Sequence, residues 1–109
     1  MIKIRNIKSL IVNEKKNYQH ALKILNKSEK KVCFVVNSKN KLVGVITDGD
    51  LRRNFLKKKS LMECGKICSK KYLFSVNTHI DKELYRKAKL KDIKYVPFFN
   101  KKGFLLGIH

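Results

Sequence analysis

The segment Leu42-Val43-Gly44-Val45-Ile46-Thr47-Asp48-Gly49-Asp50-Leu51-Arg52-Arg53 joins an apolar run to two acids around a glycine and then to two arginines. Its first half is mostly β-branched or aliphatic, which predicts a strand, and Thr47 or Asp48 is of the type that caps a following helix. Exposed amide groups and the helix dipole attract anions at such a junction, and nearby carboxylates can bind sugar hydroxyls. We therefore expect the chemistry of the chain to lie here.

Length and composition limit the possible folds. The chain has 109 residues, of which 43% are hydrophobic and 32% are charged, with a single proline. These values predict one small packed domain or two very small ones, without room for a large enzyme core. The apolar runs are far shorter than the ~20 residues that span a bilayer, and residues 1–5 lack the apolar core of a signal peptide. We expect a cytoplasmic protein with no membrane partner.

The cysteine and histidine pattern argues against a metal site. Cys33 lies inside an apolar run, and the odd number of cysteines favours reduced thiols. Cys64 and Cys68 are separated by three residues, which differs from the two-residue spacing common in zinc knuckles, and no second pair lies at a matching distance. The three histidines are scattered along the chain. We expect no bound metal.

The net charge of +19 is the strongest compositional signal. A basic surface attracts polyanions, so a nucleic-acid-binding domain is one alternative. Arginine occurs at only four positions, however, and lysine is poorly suited to bidentate recognition of bases. No aromatic residues alternate with the basic ones in a stacking pattern. The favoured interpretation is a solvated basic surface.

The chain also contains an internal repeat with an offset of 63 residues. Asn37 aligns with Asn100 and Gly44 aligns with Gly107. Each half predicts a helix, a strand, a tight turn and a second strand, preceded by a short strand. The apolar faces of the two helices are predicted from the i, i+3, i+4, i+7 spacing to be Tyr18, Ala21, Leu22 and Leu25 in the first and Ile80, Leu84, Tyr85 and Ala88 in the second.

The repeat divides the chain into predicted units of residues 1–59 and 60–109. In the second unit the positions equivalent to Thr47 and Asp50 would follow His109. We therefore expect the second repeat to be incomplete, ending before its last helix.

These residues resemble the tandem cystathionine-β-synthase (CBS) domain pair, also called a Bateman module, over nearly the whole chain. The resemblance is carried by Val35-Val36-Asn37, by Lys41 to Arg53 with its Thr-x-x-Asp step, by Tyr95-Val96-Pro97-Phe98-Phe99 and by Leu106-Gly107-Ile108. It implies an α/β (α+β) fold of two β-α-β-β-α repeats packed sheet to sheet. It also implies a regulatory chain without catalytic residues, which associates as a homodimer.

The resemblance implies that one half of an adenine-nucleotide site lies at the end of the second strand of the hairpin. Asp50 would accept hydrogen bonds from the ribose hydroxyls, and Thr47 would bond a phosphate or ribose oxygen. A carboxylate can chelate a cis-diol, in agreement with this assignment. Asp48 is then expected to cap the helix. The residues implied for the ribose and phosphate are Thr47, Asp50, Ile46 and Arg53.

The adenine would lie against the other repeat, beside Val76, Ile93, Tyr95 and Pro97. An aromatic face and edge-on amides suit a purine, so Tyr95 is a candidate contact. Strand alternation places Tyr95 and Pro97 on one face and Val96 and Phe98 on the other. Tyr95 can equally be a core residue, and for Phe98 we favour the core.

The sequence Thr-Asp-Gly-Asp-Leu-Arg-Arg at 47–53 resembles the corresponding segment in the N-terminal regulatory CBS pair of sugar-1-phosphate nucleotidyltransferases. The alternative within the family is the C-terminal pair of sugar-phosphate isomerases. Either implies an attached catalytic domain and an effector such as AMP, ADP or ATP, with no cofactor required. Asp48 and Asp50 also mimic the Asp-x-Asp metal motif of glycosyltransferases, but the chain has no nucleophile-base pair or phosphate loop to support catalysis.

Overall fold

The computed structural model describes residues 6–50, 62–75 and 82–109. It divides into two compact units, of which the first is Lys8–Tyr72. The second contains Leu73–His109 together with Asn6 and Ile7. The repeat boundary at 59/60 was predicted from the sequence alignment and stays a prediction. The first compact unit ends later, at Tyr72, because residues 62–72 belong to it.

A three-stranded sheet forms the centre of the first unit. After a 3-10 turn at Lys8–Leu10, the elements are β1 (Ile11–Asn13), α1 (Tyr18–Lys27), β2 (Val32–Val36), β3 (Leu42–Thr47), the start of α2 at residues 48–50, and α3 (Cys64–Ile67). The sheet order is β1-β2-β3, with β1 parallel and β3 antiparallel to β2. This is the predicted strand-helix-strand-strand order, and the mixed α/β class is confirmed.

Helix α1 covers the sheet with the predicted apolar face. Tyr18, Ala21 and Leu25 are buried, as their spacing predicts, and Leu22 packs against the same cluster. All five residues of β2 are buried, since this strand is central and carries helices on its face. The buried residues of α1 belong to one core cluster, whose other members are Val12, Cys33, Val35, Ile46, Cys64 and Cys68.

The second unit repeats this arrangement with fewer described elements. Helix α4 (Lys82–Leu90) is followed by β4 (Pro97–Phe99) and β5 (Leu105–Ile108), which pair antiparallel. Ser75 bridges to Phe98 in the parallel sense, as Val12 of β1 pairs with Val35 of β2. Ala88 of α4 is buried as predicted, but Tyr85 is 36% exposed and Lys89 lies 4.9 Å from its ring centroid. Ile80 lies outside the described residues.

The strand register confirms the offset of 63. In the first hairpin Val35 pairs with Gly44, and the register then shifts so that Val36 pairs with Leu42. In the second hairpin Phe98 pairs with Gly107, and the same shift pairs Phe99 with Leu105. Each of these pairs lies 63 residues from its counterpart. Even the β-bulge is therefore repeated.

Both hairpin turns are organised by an asparagine side chain. The Asn37 Oδ1 accepts hydrogen bonds from the amides of Lys39 and Lys41, and the Asn100 Oδ1 accepts them from Lys102 and Phe104. The turn needs a left-handed residue three positions after each asparagine. Asn40 (φ 61°) and Gly103 (φ 87°) fill this position, because glycine has no Cβ and the short polar side chain of asparagine is tolerated there.

Residues 62–72, which we call the strap, cross the first unit from β1 to β3. At one end Asn17 and Glu63 form an antiparallel bridge, and the Gly65 amide donates to the Glu14 carbonyl at 2.9 Å. At the other end Ser69 bridges to Val45 on the outer edge of β3.

Within the described residues no helix has the length and apolar character needed to cross a bilayer.

Candidate functional site

Thr47 and Asp50 form a reciprocal capping box at the junction of β3 and α2. The Asp50 Oδ2 accepts hydrogen bonds from the Thr47 amide (2.9 Å) and from the Thr47 hydroxyl (3.1 Å). In return the Asp50 amide donates to the Thr47 Oγ1 at 3.4 Å. This pattern satisfies amides at the start of a helix, which have no partner inside it. The predicted proximity of the two side chains is therefore present.

The structure corrects the expectation that Asp48 caps the helix. Residue 48 is already helical, and the side chain that accepts from the helix amide is that of Thr47. Because an N-cap has extended backbone while its carbonyl begins the helix, the last residue of β3 is suited to this position. Thr47 is exposed, whereas Asp50 is half-buried. The pair thus presents a hydroxyl and a carboxylate at the end of a strand.

Ile46 and Arg53 were predicted beside this pair. The Ile46 side chain is fully buried in the core cluster and pairs through its backbone with Cys33. Its side chain therefore offers no surface to a ligand, and the prediction for Ile46 stays a prediction about its main chain. Successive side chains of a strand point to opposite faces, so Ile46 is buried because its neighbour Thr47 is exposed. Arg53 lies outside the described residues.

The predicted adenine-side residues lie in the second unit. Ile93 and Tyr95 are half-buried in the segment between α4 and β4. Pro97 is almost completely buried, and its carbonyl accepts a hydrogen bond from the Ser75 amide at 2.9 Å. The core assignment of Phe98 is confirmed, since it is fully buried and its ring lies 4.9 Å from the His109 ring. Val76 lies outside the described residues.

Three buried free thiols, those of Cys33, Cys64 and Cys68, lie in the core of the first unit. Burial raises the pKa of Cys33 to about 12 and the pKa of Cys64 to about 11. Burial also raises the pKa of Cys68, while the Lys70 ammonium opposes this shift and the Asp50 carboxylate adds to it. The thiols are therefore protonated at neutral pH and pack as small apolar groups in the core. Among the described residues no cluster of three or more His, Cys, Asp or Glu side chains is placed to hold a metal.

Sequence reasoning missed the contact of the strap with β3. Gly44 was used only to align the repeat, but a glycine inside a strand often marks a close backbone approach. In the structure a Cβ at Gly44 would lie 2.4 Å from the Cys68 Sγ and 2.6 Å from the Ser69 carbonyl oxygen. The glycine therefore allows the strap to approach β3 three residues before Thr47.

Comparison with known proteins identifies the family. The CBS domain model matches residues 3–57, half of the chain. This match spans the whole of β1 to β3 and the Thr47–Asp50 pair. The chain belongs to the CBS domain family. A search of curated proteins found no match.

Solved CBS structures share the fold. A CBS domain protein from Streptococcus pneumoniae TIGR4 is 16% identical, with a TM-score of 0.76 over 97% of this chain and 72% of that one. CBSX2 in complex with AMP is 22% identical, with a TM-score of 0.74 over 94% and 81% of the two chains. The cytosolic domain of the Mg²⁺ channel MgtE in complex with ATP is 24% identical, with a TM-score of 0.71 over 91% of this chain and 40% of that one.

Proposed function

We propose that this chain is a regulatory module that binds an adenine nucleotide at the junction of β3 and α2. The observation that carries the proposal is the Thr47–Asp50 pair, because it presents a carboxylate and a hydroxyl on an edge of the first unit. A carboxylate accepts hydrogen bonds from both hydroxyls of a ribose. Two structural neighbours, CBSX2 and MgtE, were solved with AMP and ATP, which supports the choice of ligand.

In this proposal Asp50 binds the ribose, and Thr47 binds a ribose or phosphate oxygen. Arg53 contributes to the phosphate end, and the main chain of Ile46 borders the ligand. For the adenine we propose Val76, Ile93, Tyr95 and Pro97, as the family resemblance implies. The net charge of +19 favours a ligand with several phosphates over adenosine.

The regulated partner is the finer part of the proposal. The sequence of residues 47–53 supports an attached sugar-1-phosphate nucleotidyltransferase domain, with a sugar-phosphate isomerase domain as the alternative. A ligand regulates such a partner only through a difference in its affinity for two arrangements of the protein. We further propose that the module acts as a homodimer in the cytoplasm.

Titration calorimetry with adenosine, AMP, ADP and ATP tests the ligand. We expect saturable binding by at least one nucleotide and a loss of about tenfold or more in affinity for Asp50→Ala, because hydrogen bonds to a carboxylate contribute about 1.5–3 kcal/mol. Asp48→Ala removes the same charge from the same turn and is the matched control. We expect its affinity to stay within about twofold of the unchanged protein.

Two results would contradict the proposal. One is the absence of saturable binding by all four compounds, and the other is an equal loss of affinity in Asp50→Ala and Asp48→Ala. Binding to generic DNA that falls steeply with salt and does not depend on Asp50 would instead support the nucleic-acid alternative.

A further inference from the structure

The strap is fixed to the first unit at both ends by backbone hydrogen bonds. Near β1, the Tyr18 amide donates to the Met62 carbonyl (2.8 Å) and the Cys64 amide donates to the Lys16 carbonyl (2.8 Å). Near β3, Val45 and Ser69 exchange two hydrogen bonds of 2.9 Å each. Short helix α3 connects the two ends. The strap is therefore a defined structural element of this unit.

The β3 end of the strap fits without spare room. The Cys68 Sγ occupies the space over Gly44, where even an added methyl group would collide with it. Cys68 is 8% exposed and belongs to the same core cluster as Ile46, the residue before Thr47. Interiors that are packed this closely transmit a displacement to their neighbours.

Cys68 also lies within electrostatic reach of the site. Burial is the main cause that raises the pKa of the Cys68 thiol; the Lys70 ammonium lowers it, and the Asp50 carboxylate adds a smaller contribution that raises it. The thiol thus responds to the charge of Asp50, which is predicted to bind the ribose.

We propose that Cys68 is a positioning residue for the ligand site. Its side chain packs against Gly44, and the next residue, Ser69, pairs with Val45. These contacts hold β3 so that Thr47 and Asp50 keep their ligand-binding geometry. This inference rests on the proposed function, because it assigns a supporting role at the same site. A reciprocal consequence follows from linkage: a bound ligand stabilises the contact of the strap with β3.

Paired cysteine variants separate positioning from general stability. Cys68→Ala and Cys64→Ala each remove a buried sulfur from the same cluster and from opposite ends of α3. We expect both variants to lower the melting temperature, because each leaves a cavity in the core. Only Cys68→Ala should weaken nucleotide binding, by about threefold or more, which is the usual size of such indirect effects. Cys68→Ser keeps the shape and can donate to the Gly65 carbonyl, to which the Cys68 Sγ lies at 3.6 Å. It should restore most of the affinity.

Two glycines provide a second matched pair. Gly44→Ala collides with Cys68 and Ser69 at the β3 end of the strap, whereas Gly65→Ala collides with the Glu14 Cβ at 2.9 Å at the other end. Both substitutions strain the strap. We expect nucleotide affinity, measured by calorimetry at a temperature where circular dichroism shows each variant folded, to fall only in Gly44→Ala.

Hydrogen exchange gives the reciprocal readout. In the unchanged protein, saturating nucleotide should slow exchange of the Val45 and Ser69 amides, with little effect on the Gly65 amide. Equal nucleotide affinity in Cys68→Ala and Cys64→Ala, while Asp50→Ala still loses binding, would overturn the positioning role and leave the proposed function standing. Failure of the unchanged protein to bind any adenine compound would overturn both.

Discussion

At the scale of single residues, Thr47 caps α2, and the proposed function adds a ligand-binding role to the same side chain. It was expected to face the ligand while Asp48 capped the helix, yet the structure places the capping bond on Thr47. A hydroxyl can donate one hydrogen bond and accept others, so the two roles are compatible. The same side chain that begins α2 also holds the Asp50 carboxylate.

Thr47→Val tests the capping role, because valine keeps the branched shape and removes the hydroxyl. We expect the free energy of unfolding to fall by about 0.5–1 kcal/mol, the usual cost of losing a cap at an exposed position. Thr47→Ser retains the hydroxyl and should cost less. Urea denaturation of both variants measures the difference, and equal destabilisation by valine and serine would show that the capping bond contributes nothing.

At the scale of elements, the two hairpins show how far a sequence repeat predicts structure. The alignment of Asn37 with Asn100 and of Gly44 with Gly107 predicted two equivalent turns, and the structure repeats their hydrogen bonds and bulge. The predicted apolar face of α1 is also present. These features depend on residues close in sequence, where periodicity and turn chemistry are informative.

Asparagine substitutions test the equivalence of the turns. Asn37→Ala and Asn100→Ala each remove two side-chain hydrogen bonds to backbone amides. We expect each to cost about 1–2 kcal/mol, with the two values agreeing within a factor of two. Ser38→Ala and Lys101→Ala, at the next position of each turn, are the controls. Urea midpoints that shift for one asparagine only would contradict equivalent roles.

The contact of the strap with β3 could not be predicted in the same way. Ser69 meets Val45 across a large separation in sequence, and nothing in the composition of residues 62–72 indicates the strand edge that they pair with. Ile46 was assigned to the ligand from its place in a motif, although its alternation with Thr47 along β3 indicates the buried side-chain position that the structure shows. Local pattern defines an element, but tertiary contacts decide its surroundings.

At the scale of the whole molecule, the buried thiols couple stability to alkaline pH. The pKa of Cys33 is raised to about 12 by burial, from an ordinary value of 9.0. The unfolded chain therefore loses this proton at lower pH than the folded one. The stabilisation is fully present below pH 9 and is lost as pH rises from 9 towards 12.

Urea denaturation between pH 8 and pH 11 measures this effect. The unchanged protein should lose stability across the range more steeply than Cys33→Val, which has no titrating group at this position. Comparison of the two proteins cancels the titration of the many lysines, which they share. Parallel pH profiles for the two proteins would show that the Cys33 thiol does not contribute.

The strap also determines where the chain can be cut. A fragment that ends at the repeat boundary, residue 59, would lack Ser69 and leave the outer edge of β3 without its partner at Val45. An open strand edge is a template for pairing with other chains and promotes aggregation. A fragment that extends to Tyr72 keeps that edge covered. We therefore expect a soluble fragment of the first repeat to require the strap, although the strap belongs to the second repeat in sequence.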